Sequence, residues 1–131
     1  MNNRKVIYND LTGQEKIQFE QCQMLPNCQT LWCDTNQLTH LPDLPNCQEL
    51  YCSDNQLTHL PDLPKCQIIY CSGNQLTHLP DLPNCQTLYC YENRMNDLPN
   101  LPNCQIIYCN HNFIIYSKIL RNSKIEKLWL Q

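Results

Sequence analysis

The sequence predicts a β-solenoid, with a parallel sheet on one side, extended return segments on the other and little helix. Three observations point there. Asn36, Asn55, Asn74, Asn93 and Asn112 are each nineteen residues apart. Whole segments recur at that period: residues 36–48 and 74–86 both read NQLTHLPDLPNCQ, residues 55–67 differ only at Lys65, and residues 93–105 are a looser copy. Within each copy, apolar residues sit two apart, as on one side of a strand. A unit this short cannot bury its own apolar face, but stacked units share one core.

Each place in the unit has its own physical reason. Cys47, Leu50, Cys52, Asn55 and Leu57 make one copy of the pattern L-x-x-L-x-L-x-x-N-x-L, with Cys at two of the leucine places. Leu50 and Cys52 are predicted to point inward from a strand, and Tyr51 between them outward. Asn55 ends the strand, where its amide can satisfy backbone groups left unpaired as the chain turns. Leu57, Leu60 and Leu63 fill the interior from the return stretch. Pro61 and Pro64 remove backbone donors there and favour an extended, polyproline-like path. Ile125, Leu128 and Leu130 match the first three apolar places of a last, irregular copy.

This pattern resembles the short leucine-rich repeats of bacterial type III effectors, whose units carry LPxLP on the return stretch. LPDLP at residues 41–45, 60–64 and 79–83, and LPNLP at 98–102, carry the likeness. The Cys-rich form LPNCQTLYC, at residues 82–90, resembles still more the leucine-rich-repeat proteins of giant DNA viruses. The likeness covers residues 25–114, with a tail towards Leu130. It implies a leucine-rich-repeat solenoid that binds protein inside a host cell, in the host cytoplasm if the source is viral. Effector ligases of this group add a catalytic domain with a nucleophilic Cys after the repeats. Only seventeen residues follow Ile114, so no enzyme is expected. The expected organisation is an N-terminal cap over 1–24, repeats over 25–114 and a C-terminal cap with the irregular strand over 115–131.

Charge narrows the functions. Charged residues make up 16% of the 131 and the net charge is −3, without the basic stripe that nucleic acid requires. No apolar run is long enough for a bilayer, and only Val6, Ile7 and Tyr8 follow Arg4 and Lys5, too few for a secretory signal. An intracellular setting is therefore expected, with neither membrane nor nucleic acid as partner. Charge is also uneven. Residues 34–97 hold eight acidic side chains against Lys65 and Arg94, a net −6, and residues 118–131 hold four basic ones against Glu126, a net +3. Weak head-to-tail self-association is one consequence.

The ends should cover the core. Thr12 and Glu15 have capping-box spacing, so a helix over 14–23 could lay Ile17, Phe19 and Cys22 on the first coil. A degenerate coil is the alternative, aligning Phe19, Cys22 and Leu25 with Leu38, Leu41 and Leu44. At the back, residues 113–120 are apolar enough to close the core.

Ten of the 11 cysteines form two columns: Cys28, Cys47, Cys66, Cys85 and Cys104, and Cys33, Cys52, Cys71, Cys90 and Cys109. Each stands where the repeat demands an apolar side chain, and free Cys packs as a small hydrophobe. Disulfides between coils are the rival, since strands about 4.8 Å apart lie within disulfide reach. A metal site is another rival, although the spacing of five within a coil is not that of zinc motifs. His40, His59 and His78, each followed by an Asp three residues on, read as solvated copies of one repeat position. No cofactor is expected.

The outward faces remain as functional candidates. Trp32, Tyr51, Tyr70, Tyr89 and Tyr108 form an aromatic column, with Trp129 as a sixth member. Beside it run Gln29, Gln48, Gln67, Gln86 and Gln105, and a variable column of Thr30, Glu49, Ile68, Thr87 and Ile106. Tyr91 lies just beyond the strand. The aromatics should be exposed. They serve either as cross-strand neighbours that steady the sheet or as a binding stripe, and the two roles are compatible. Asp34, Glu49, Asp54 and Glu92 lie on the face, with no Lys or Arg until Lys127. A basic protein partner is the expectation.

Overall fold

In a computed structural model, residues 3–114 and 124–130 are described. They build one seven-stranded parallel sheet in sequential order: β1 (Lys5–Ile7), β2 (Thr30–Trp32), β3 (Glu49–Tyr51), β4 (Ile68–Tyr70), β5 (Thr87–Tyr89), β6 (Ile106–Tyr108) and β7 (Lys127–Trp129). The middle residue of each is its inward one. Leu31, Leu50, Ile69, Leu88 and Ile107 pair in register and are fully buried. Among the described residues, the return segments of the nineteen-residue repeats contain no helix, in keeping with their prolines, and send Leu38, Leu57, Leu76 and Met95 into the same interior. All ten column cysteines are buried and unbridged.

The thiols fit this interior for a reason beyond size. Cys28, Cys47, Cys66, Cys85 and Cys104 each donate an S–H to the carbonyl two residues on, at 3.2 to 3.4 Å. A Leu there would pack but could not bond. Burial pushes the thiols of Cys28 and Cys71 up to about 12, so they stay protonated and unreactive at neutral pH. The adjacent thiols of Cys66 and Cys104, then burial, raise Cys47 and Cys85, and the Cys85 thiol lowers Cys104.

The asparagines form the amide ladder. Asn55 Nδ2 donates to Cys33 O of the preceding coil at 2.9 Å, and to Cys52 O and Ser53 O of its own. Its Oδ1 accepts from Leu38 N at 3.0 Å. Asn74 and Asn93 repeat the set one coil further on each time. Thus each amide closes its own turn and ties it to the coil before. The residue ahead of each Asn turns left-handed: Thr35, Asp54, Gly73, Glu92 and His111 have φ between 53° and 63°. Only Gly73 is free of the steric cost of that conformation.

The N-terminal segment combines the two alternatives. A helix, α1 (Gly13–Gln21), starts at a reciprocal capping box between Thr12 and Glu15. It is also the return arm of a coil whose strand is β1, with Val6 opposite Leu31 at an offset of 25 in place of nineteen. The extra length accommodates the helix. Phe19 and Leu25 are buried and Cys22 is half-buried, whereas Ile17 is 49% exposed and does not lie on the core. Ile17 falls on the solvent side of a helix that turns only a narrow apolar strip inward.

At the other end, β7 pairs with β6, Leu128 opposite Ile107. Ile125, Leu128 and Leu130 are half-buried against the core. Phe113, expected to help close it, is 69% exposed; the rest of that apolar stretch, 115–120, lies outside the described residues. Among the described residues no helix is long and apolar enough to cross a membrane.

Candidate functional site: the concave sheet face

Period-2 alternation puts the first and third residue of every strand on the concave side. The third residues are Ile7, Trp32, Tyr51, Tyr70, Tyr89, Tyr108 and Trp129, paired in register from β1 to β7. The first residues are Lys5, Thr30, Glu49, Ile68, Thr87, Ile106 and Lys127. All five predicted aromatics and the four variable residues Glu49, Ile68, Thr87 and Ile106 therefore share one face. Tyr91 stands outside the strands, on the ledge after β5, beside Tyr108 and Trp129 in a concavity.

The rings are not separate exposed anchors. They stack face to face along the solenoid. Tyr70–Tyr89 and Tyr89–Tyr108 centroids are 4.4 Å apart, with ring planes within 10° of parallel. Tyr108–Trp129 is as close, at 4.3 Å and 13°. Towards the N-terminus the stack loosens, to 5.2 Å at Tyr51–Tyr70 and a 58° tilt at Trp32–Tyr51. The four tyrosines are consequently half-buried, not exposed as alternation alone implies; only the end rings Trp32 (43%) and Trp129 (44%) are exposed. Parallel strands hold equivalent residues about one strand spacing apart, near the thickness of two stacked rings. Between the two end rings, a partner on this face meets ring edges and phenolic hydroxyls, not ring faces.

The hydroxyls are perturbed accordingly. Burial, then the neighbouring phenols of Tyr70 and Tyr108, pushes Tyr89 up to about 12. Tyr51 is raised by burial and by Glu49, whose carboxylate accepts its O–H at 3.4 Å. On the ledge, Asp34 is raised by burial while its Oδ1 accepts from Ser53 N at 2.6 Å. The Asp34 carboxylate is thus partly used in holding the next coil.

The charge reading of this face needs one correction. Lys5, on β1, sits with Nζ 5.1 Å from the Trp32 ring centroid. The face thus carries a cation at each end, Lys5 and Lys127, around a central Glu49. The sequence reading omitted Lys5 because β1 lies outside the nineteen-residue period.

On the convex side, His40, His59 and His78 are exposed, each with Nδ1 within 3.1 to 3.3 Å of the hydroxyl of the preceding Thr. Among the described residues, no group of three or more His, Cys, Asp or Glu is arranged to hold a metal ion.

Solved structures share this architecture. The chain is similar to the leucine-rich-repeat domain of a Shigella effector, with 26% identity and a TM-score of 0.71 over 95% of this chain and 59% of that one. It is similar to YopM of Yersinia enterocolitica, at 25% identity and TM-score 0.68, covering 82% of this chain and 29% of that one. YopM of Yersinia pestis, a leucine-rich effector protein, matches at 27% and 0.52, over 69% and 33%. The chain spans less than two thirds of each. No protein-family model matches it, and no curated protein does. The fold is thus a leucine-rich-repeat solenoid of the kind seen in bacterial effectors.

Proposed function

We propose that this chain is a non-enzymatic interaction module that binds another protein through its concave face. The observation that carries the reading is the continuous row of six aromatic rings, edges outward, beside the Ile68–Thr87–Ile106 strip. The interior and the amide ladder use nearly identical residues in every repeat. The variable column is where the copies differ, and nothing in the packing demands its residues. Tyr and Trp are the residues that dominate interface hot spots, and an apolar strip of this extent usually has a partner. The bound partner carries basic groups towards Asp34, Asp54 and Glu92 on the ledge. The resemblance of LPNCQTLYC to giant-virus repeats, and of the fold to effectors, supports action inside a host cell. Replacing Ile68 and Ile106 together by Lys should abolish capture of the partner while leaving circular dichroism and the urea midpoint near wild type. Undiminished capture by the folded double variant would refute the concave face.

A second reading, head-to-tail self-association, rests on the acidic repeats and the basic segment 118–131. Sedimentation at low and high salt decides it: a salt-sensitive dimer supports it, and a monomer at high concentration in low salt ends it.

A further inference from the structure

Among the described residues, the first and last rings of the aromatic stack differ in what lies beside them. At the first, the chain's own Lys5 ammonium lies over the Trp32 ring, 5.1 Å from its centroid. At the last, Trp129 has one face on Tyr108, at 4.3 Å, and remains 44% exposed. Beside it lies a concavity of about 700 Å³ lined by Tyr91, Glu92, Tyr108, Asn110, Leu128, Trp129 and Leu130. Its lining contains three aromatic rings and one carboxylate, and no Lys or Arg. Lys127 stands on the same face of β7 but does not line it.

A π face attracts a cation, most strongly on Trp, and a carboxylate alongside adds a charge-assisted hydrogen bond. Guanidinium suits both: it is planar, weakly hydrated, stacks on indole and pairs with a carboxylate through two parallel N–H donors. We propose that the Trp129 concavity is a recognition pocket for an arginine side chain of the protein partner, with the guanidinium inside it, against the part of the Trp129 indole that Tyr108 leaves uncovered, and hydrogen-bonded to the Glu92 carboxylate. Tyr91 and Tyr108 border the aliphatic stem, and Asn110 offers a further polar contact at the rim. Glu92 suits the role because its backbone is already fixed: its φ is +53° and its N–H donates to Asn110 O at 3.0 Å. The carboxylate is therefore presented from a rigid turn. This deepens the proposal of a basic protein partner and rests on it.

The chain's two tryptophans supply a built-in control. The probe is N-acetyl-arginine methylamide, titrated into the 131-residue chain while both indole N–H resonances are followed by NMR. The expected result is a saturable shift of the Trp129 resonance with Trp32 unmoved, because Lys5 already occupies that end. Glu92→Gln should weaken binding at least severalfold with the fold unchanged by circular dichroism. The corresponding lysine derivative should bind more weakly than arginine. No saturable shift, equal shifts at both indoles, or full affinity in Glu92→Gln would overturn the proposal. Failure here is separable from failure of the concave-face reading. If the partner is captured and Ile68→Lys/Ile106→Lys releases it while the arginine probe does not bind, only the pocket falls. If the probe binds and no partner is captured on the face, the pocket stands and the docking surface falls.

Discussion

The left-handed position before each ladder Asn shows how the repeat tolerates local cost. Glycine adopts this backbone freely, but β-branched Thr35, at φ 57°, is the least suited of the five. Thr35→Gly should stabilise the chain by about 1 kcal/mol, read as a raised urea midpoint with unchanged slope. An unchanged or lowered midpoint would show that the Thr35 side chain contributes contacts that outweigh the strain. Ser72 supplies a second residue-level test. It is 2% exposed, and its Oγ is buried with no hydrogen-bond partner. Ser72→Ala removes a hydroxyl that loses its hydration on folding and recovers nothing, so stability should hold or rise by up to about 1 kcal/mol. A clear loss would reveal a partner for the hydroxyl. Inward positions such as Leu50 and Cys52 could be read from alternation alone. The orphan at Ser72 could not, because identical spacing puts Ser53 in a similar but half-buried place.

At the scale of the element, each strand is only three residues long, and the amide ladder does much of the work of joining coils. Asn74 accepts from Leu57 N at 3.0 Å and donates to Cys52 O, Cys71 O and Ser72 O. Asn74→Ala would strand a buried N–H and several carbonyls, at a cost of about 3 kcal/mol in chemical denaturation. Among the described residues, Asn36 Nδ2 bonds only within its own turn, to Cys33 O and Asp34 O, so Asn36→Ala should cost less. Equal losses would contradict the inter-coil role. The aromatic column behaves similarly. Tyr70 and Tyr89 each stack on both neighbours, so replacing either by Ser removes two ring contacts worth about 0.5–1.5 kcal/mol apiece. These rings therefore steady the sheet, and the Ile68 and Ile106 substitutions separate binding from stability more cleanly. Alternation foretold which side each ring faces. It could not foretell that the rings would consume one another's faces, which depends on the strand spacing and on the parallel in-register pairing. β1 escaped notice because its separation from β2 departs from the period and its three residues carry no repeat signature.

For the molecule as a whole, a single row of buried leucines and thiols runs through stacked coils with nothing but neighbours to hold them. Such an array depends on its thiols staying neutral. The folded chain holds Cys28 and Cys71 up at about 12, above the ordinary 9.0, and Tyr89 at about 12, above 10.0. Each group binds its proton more tightly folded than unfolded. Their stabilising effect is complete below pH 9 and is lost as pH rises towards 12. Under reducing conditions, the urea midpoint should be flat from pH 7 to about 8.5 and then fall steadily. A midpoint that rises or stays level through pH 10.5 would mean that the thiols are not buried as described.

Function at this scale turns on which side of the solenoid meets a partner. The photo-crosslinking amino acid p-benzoylphenylalanine can be placed at position 87, in place of Thr87 on the concave face, or at position 59, in place of exposed His59 on the convex side. Both chains are then irradiated in cell extract. The proposed function predicts a discrete protein adduct from position 87, competed away by unlabelled wild type and absent from position 59. Adducts from position 59 alone, or the same adducts from both positions, would contradict a concave binding face.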